Sequence, residues 1–97
     1  MTKPVGYYTN YTPFDGTLLD EMVNYFGSQF EKMSPTEKCW LLYRIGYYLW
    51  FHECSGGGIS DDVESALNRI ETELTVGDKL GLIEAITNQL KSVAKQL

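Results

Sequence analysis

Ninety-seven residues with 43% hydrophobic side chains describe one small domain that can form a single core, and global disorder is excluded. The net charge is −5, and the eight basic residues are dispersed among thirteen acidic ones. Such a surface offers no phosphate-binding footprint, so no nucleic-acid partner is expected. The greasiest stretch, Cys39–Phe51, is interrupted by Arg44 and Gly46 and falls short of the roughly 18 residues of a membrane span. The first residues, MTKPVGYYTNYTPF, lack the continuous apolar core of a secretory signal. Two cysteines in or beside an apolar helix fit a reducing compartment. A cytoplasmic protein without membrane insertion is therefore expected.

Residues 1–14 hold Pro4, Gly6 and Pro13 and are predicted to form an irregular N-terminal arm. Its Tyr7, Tyr8, Tyr11 and Phe14 give it an aromatic surface to pack with. Residues 15–97 are predicted to form an all-α, four-helix domain. The first helix should run from about Thr17 to Lys32, with Thr17 and Asp20 resembling a capping box. Leu19, Met22, Val23, Phe26 and Phe30 mark its apolar face. Gly27 falls inside that pattern, at a cost of about 1 kcal/mol relative to alanine, and suggests a close helix crossing.

The second helix has the best start signal. Ser34 suits the cap, Pro35 the first helical position, and Glu37 can reach back to Ser34. This helix should continue to about Glu53 and stop at Ser55, Gly56, Gly57 and Gly58. The third helix opens at Ser60, with Asp61 and Asp62 near its positive end. Val63, Ala66, Leu67, Ile70 and Leu74 form its stripe. Thr75 and Asp78 cap the fourth helix. Leu82, Ile83, Ile86, Leu90, Val93 and Leu97 form its predicted buried face, and Lys91 and Lys95 lie near its negative end.

Residues 33–49 and 74–90 repeat one design at a displacement of 41 positions. Met33, Ser34, Glu37, Lys38, Leu41, Ile45 and Leu49 correspond to Leu74, Thr75, Asp78, Lys79, Leu82, Ile86 and Leu90. Two related helical hairpins in one small bundle are therefore expected. Only two copies are present, fewer than the three that a helical solenoid needs. Ile45 and Ile86 are expected in the core, where aspartate would bury an unpaired charge.

The two copies differ on their outer faces. Eleven of the thirteen residues from Cys39 to Phe51 are apolar. A helix that is apolar all round must be central or must meet a partner. Leu41, Leu42, Ile45 and Leu49 are expected to fill the core, as their counterparts do. Trp40, Tyr43, Tyr47, Trp50 and Phe51 are then left over, and they are the candidate partner-binding residues. Cover by the N-terminal arm, a protein partner or second copy, and a small-molecule pocket are three ways to satisfy them.

Catalytic patterns are weak, and no enzyme is expected. His52, Glu53 and Cys54 supply too few ligands for zinc and no orienting third group for a nucleophile, so no metal is expected. Asp61, Asp62 and Glu64 read as dipole partners at a helix start. Gly56, Gly57 and Gly58 lack the lysine and hydroxyl residue of a phosphate loop.

FEKMSPTEKCWLLYRIGYYL, followed by VESALNRIETELTVGDKLGLIEAITNQL, resembles the N-terminal helical domain of the cyanobacterial orange carotenoid protein. The resemblance spans roughly residues 26–92 and rests on caps and spacing. It implies an all-α fold, a cyanobacterial source and a setting near photosynthetic light harvesting. Members of that family hold a keto-carotenoid between helical subdomains and dock on phycobilisomes. By the same resemblance Tyr43, Tyr47 and Trp50 are the possible carotenoid contacts. Tyr43 falls where the family has a contacting tryptophan, and Gly46 where it has a contacting tyrosine. The expectation is a non-enzymatic protein-binding or adaptor module that self-associates as a homodimer, without a resident cofactor. The alternative is a carotenoid-binding photoprotective protein acting as a dimer.

Overall fold

The computed structural model describes residues 3–54 and 56–94. Among them the regular structure is helical, with no strand. It comprises α1 (Val5–Tyr8), α2 (Leu18–Phe26), α3 (Pro35–Tyr48), a π-helical segment (Leu49–Glu53), α4 (Asp61–Glu73) and α5 (Val76–Ser92). The all-α expectation holds. The chain divides into two units, Met1–Tyr48 and Leu49–Leu97.

In the first unit the arm is more ordered than its composition suggests. It contains the one-turn helix α1, which follows Pro4. The Val5 N–H donates to the Ser28 carbonyl at 2.7 Å, which ties the arm to the segment after α2. Asp20 holds the other end. Its carboxylate accepts from the Tyr11 hydroxyl at 3.0 Å, the Phe14 N–H at 3.1 Å and the Gly16 N–H at 3.3 Å. Asp20 is buried, and these donors replace the water it gives up.

This corrects the expected Thr17–Asp20 capping box. The Thr17 N–H and hydroxyl both donate to Asp15, at 2.9 Å and 2.7 Å. Asp20 is therefore released to bind the arm.

The first helix is also shorter than expected. It ends at Gly27, whose φ of +97° lies in the region that favours glycine. The Gly27 N–H closes the last turn on the Val23 carbonyl at 2.8 Å. A Cβ at this position would run into the Glu31 carboxyl group. Gly27 is thus a helix terminator rather than a crossing point. Leu19, Met22, Val23, Phe26 and Phe30 are half-buried, so the predicted apolar face does form. Met33 is the buried hydrophobic residue among those described, 7% exposed.

The start of α3 follows the sequence closely. The Ser34 N–H donates to Glu37 Oε1 at 2.9 Å, and the Glu37 N–H donates to Ser34 Oγ at 3.1 Å. The helical run reaches Glu53, but its last five residues widen into a π turn. The Cys54 N–H reaches five residues back to the Leu49 carbonyl at 3.0 Å.

In the second unit, Gly56 and Gly57 take φ values of +82° and +89°, which break the helical path before α4. Ser55, placed with them as a helix stop, lies outside the described residues. The Val63 N–H donates to Ser60 Oγ at 3.3 Å, and the Asp78 N–H to Thr75 Oγ1 at 3.1 Å. Lys79 Nζ donates to the Glu71 carbonyl at 3.2 Å, linking α5 to the last turns of α4. The Arg69–Glu73 fork, at 2.6 Å and 2.8 Å, is exposed and contributes little through screened charge.

The expected core residues are where sequence and structure part. Leu41 is half-buried, but Leu42, Ile45 and Leu49 are exposed. Ile70 and Leu74 are half-buried near the α4–α5 turn. Val63, Leu67, Leu82, Ile83, Ile86, Leu90 and Val93 are exposed. Leu97 and Lys95 lie outside the described residues. The physical reason is local supply. Within a two-helix unit, each stripe has one neighbouring helix, whereas a bundle helix is covered from two sides. Ile45 and Ile86 are 51% and 46% exposed, so aspartate at either position would sit in water rather than in a core.

Asp20→Ala should release the arm, because it strands two backbone N–H groups and the Tyr11 hydroxyl. The expected cost is about 1–3 kcal/mol, with faster proteolysis of residues 3–16. Gly27→Ala should lower stability by about 1 kcal/mol or more through the positive φ. Denaturant melts of both variants check these values.

Candidate binding surface

Three of the five candidate residues lie on one face of α3. Trp40, Tyr43 and Tyr47 are spaced by three and four positions, within about 60° of one another around a helix of 3.6 residues per turn. The Tyr43 and Tyr47 ring centroids are 6.5 Å apart and tilted at 50°. This face is held from below by the Ser34–Glu37 box, which fixes the first turn of α3.

Trp50 and Phe51 belong to the π segment, in the second unit. Their rings meet edge to face at 6.4 Å, and Phe51 stands at 5.0 Å from the His52 ring.

All five side chains are between 44% and 61% exposed. The arm does not cover the three on α3. It docks against α2 through Val5, Gly6 and Tyr11, which are half-buried, while Tyr7, Tyr8 and Phe14 remain exposed. Lys3 spends its charge on the arm itself, 4.1 Å above the Tyr7 ring. An apolar cleft of about 400 Å³ lies between the arm and α2, lined by Pro4, Gly6, Tyr7, Tyr11, Pro13, Val23 and Ser28. It contains none of the five candidate residues.

The charged groups around these elements serve local structure. Burial, followed by the hydrogen bond to Asp20, pushes the Tyr11 hydroxyl above its ordinary value. The Thr17 hydroxyl and N–H, with the Thr12 N–H, hold Asp15 below the usual carboxylate range. The Ser34 N–H and hydroxyl do the same for Glu37. Among the described residues, no three His, Cys, Asp or Glu side chains gather as a metal cluster. Cys39 and Cys54 are exposed free thiols. No described helix is long and apolar enough to cross a membrane.

Comparison of the chain with protein-family models, with curated proteins and with solved structures gives no match. The resemblance to the orange carotenoid protein therefore stands on caps and spacing alone.

Sequence reasoning missed Asp20 as the organiser of the arm. The available signal was an aspartate four residues after Gly16, within reach of a turn's free N–H groups. It also missed the π turn, for which LWFHE carries no established signal.

The Glu37 carboxyl should give α3 an acid-sensitive start. Its folded pKa is lowered, so the stabilisation is fully present above the ordinary value near 4.5 and is lost as pH falls through the lowered one. As pH falls below that ordinary value and through the lowered one, the first turn of α3 should fray. The Ser34 amide resonance should titrate with it, and Glu37→Gln should abolish that titration.

Proposed function

We propose that the chain is a non-enzymatic helical binding module, acting as an adaptor or by self-association through exposed apolar helix faces. One observation carries this reading. The aromatic face of α3, with Trp40, Tyr43 and Tyr47, stays open although an aromatic arm is present in the same unit. Trp50 and Phe51 extend the supply of aromatic anchors. Contiguous aromatic surface of this kind characterises the centres of protein interfaces. The finer architecture, two related hairpins in a four-helix bundle, belongs to the same proposal, since it forms once the open stripes are covered. The light-harvesting setting, the cyanobacterial source and a cytoplasmic location are part of the proposal too, and the first two rest on the resemblance alone.

Exposed anchors contribute little to the fold of the free chain and much to a complex. Trp40→Ala and Tyr47→Ala should each weaken partner capture or self-association about thirtyfold, the equivalent of about 2 kcal/mol. Their melting temperatures should stay within a few degrees of the parent chain. Sedimentation and pull-down measurements, paired with thermal melts, test this. A sharp fall in melting temperature with unchanged association would make these residues core and end the binding reading.

Carotenoid binding by a dimer is the alternative that the resemblance supplies, with Tyr43, Tyr47 and Trp50 as contacts. An open helix face supplies one wall and a long polyene needs two. The chain purified from a carotenoid-producing host should therefore be colourless. Stoichiometric pigment in its visible spectrum would replace the adaptor reading with a photoprotective one.

A further inference from the structure

The arm carries a knob and a hole side by side. Phe14 is the knob. Its φ is +64°, a left-handed backbone that is rare for a bulky side chain. Phe30 has a similar φ of +55°, but it is half-buried and its ring pairs with Phe26. Phe14 gains no such cover, because it is 90% exposed. The surrounding turn holds it. The Phe14 N–H donates to Asp20 at 3.1 Å, the Thr12 N–H to Asp15 at 3.1 Å, and the Asp15 N–H to the Thr12 carbonyl at 3.1 Å. A backbone outlier that its neighbours over-determine, on a phenylalanine left in water, points to a displayed contact group. The turn is fixed before any partner arrives, so little ordering entropy is lost on binding.

The hole is the apolar cleft between the arm and α2. Its volume of about 400 Å³ lies in the range of pockets that enclose small organic groups. Pro4, Tyr7, Tyr11, Pro13 and Val23 supply most of its walls. Such rings and methyl groups are surfaces on which a phenyl ring packs. Phe14 is not among the lining residues, although Pro13 is. Knob and hole are therefore neighbours in one unit, one residue apart along the chain.

That adjacency selects the occupant. In a two-fold contact one patch must be complementary to itself, so that each feature meets its counterpart on the other copy and the reverse. A knob beside a hole is such a patch. Charge permits the pairing. Residues 1–48 hold four basic and five acidic residues, so this unit carries −1 of the chain's −5. Asp15 adjoins the knob, and Lys3 stands over the Tyr7 ring of the hole. A second copy brings the acid of its knob towards that base. Of the other charges nearby, Asp20 is buried and already engaged by the arm, and Glu21 lies on the far side of α2 from Val23. The connection after α2 carries Glu31 and Lys32, one of each sign. A lipid surface is the poorer match, because an acid follows Phe14 and no base flanks it.

We propose that Phe14 of each copy inserts into the cleft between arm and α2 of a second copy, forming a reciprocal two-fold contact. It uses the arm and not the α3 face, so it stands independently of the aromatic binding reading.

Sedimentation equilibrium of the full chain over a concentration series, paired with thermal melts, tests the proposal. The expected species at high concentration has twice 11.0 kDa. Phe14→Ala removes the knob, and Ser28→Trp places a large ring in the lining of the hole at an exposed position. Each should weaken self-association about thirtyfold, with melting temperatures within a few degrees of the parent chain. An equimolar mixture of the two variants should recover a dimer, because Phe14 of the Ser28→Trp chain still finds the open cleft of the Phe14→Ala chain. That recovery is expected even if one variant melts lower, since mixing does not repair a folding defect. A mass of 11.0 kDa at every concentration would overturn the proposal, including the case in which the monomer binds phosphatidylcholine vesicles through Phe14. Two variants that both lose association and do not recover on mixing would overturn it as well. A dimer lost in Trp40→Ala and retained in Phe14→Ala would overturn this contact and leave the α3 face standing.

Discussion

A helix with an apolar stripe about 100° wide needs neighbours on two sides before its side chains leave water. This chain carries such stripes on α3, α4 and α5, and within each unit there are too few neighbours to cover them. Where an element finds two supports, burial follows. Met33, in the connection between α2 and α3, is buried, and Phe26 and Phe30 pair edge to face at 6.1 Å. Where it finds one, as along α5, isoleucine and leucine remain in solvent. The functional readings follow from that shortage, because the free energy of burying those faces is still available to a partner.

Local hydrogen bonding does what burial leaves undone. Asp20 and Asp15 hold the arm and the first turn of α2, Ser34 with Glu37 opens α3, and Ser60 and Thr75 open α4 and α5. These contacts set helix limits without needing a core. They explain how helices with exposed stripes still have defined ends. Among these groups Asp15 and Glu37, whose hydrogen bonds hold their carboxyls below the usual range, make their helix starts open to pH.

The elements written in short-range chemistry were legible in the sequence. Ser34, Ser60 and Thr75 each act as caps, and Leu19, Met22, Val23, Phe26 and Phe30 form one face. Gly27 was misread because an apolar pattern continues through it to Phe30, while its backbone turns left-handed and ends the helix. Asp20 was misread because a capping box and an arm anchor use the same residue type at the same place. Core assignments from periodicity were the least secure. Periodicity identifies which side of Ile45 or Ile86 is apolar and says nothing about what lies opposite. The aromatic candidates on α3 share a face as their spacing implies, whereas Trp50 and Phe51 lie in a π segment that no local pattern announced.

Both tryptophans of the chain, Trp40 and Trp50, lie among the candidate residues, and both residues are more than half exposed. An indole in water emits at longer wavelength than one in an apolar contact. The tryptophan fluorescence of the free chain therefore originates at its candidate residues. Any molecule that covers either ring shifts the emission towards the blue, so the unlabelled protein carries its own optical report of occupancy. With two emitters in different units, single-tryptophan variants would separate the signal of α3 from that of the π segment.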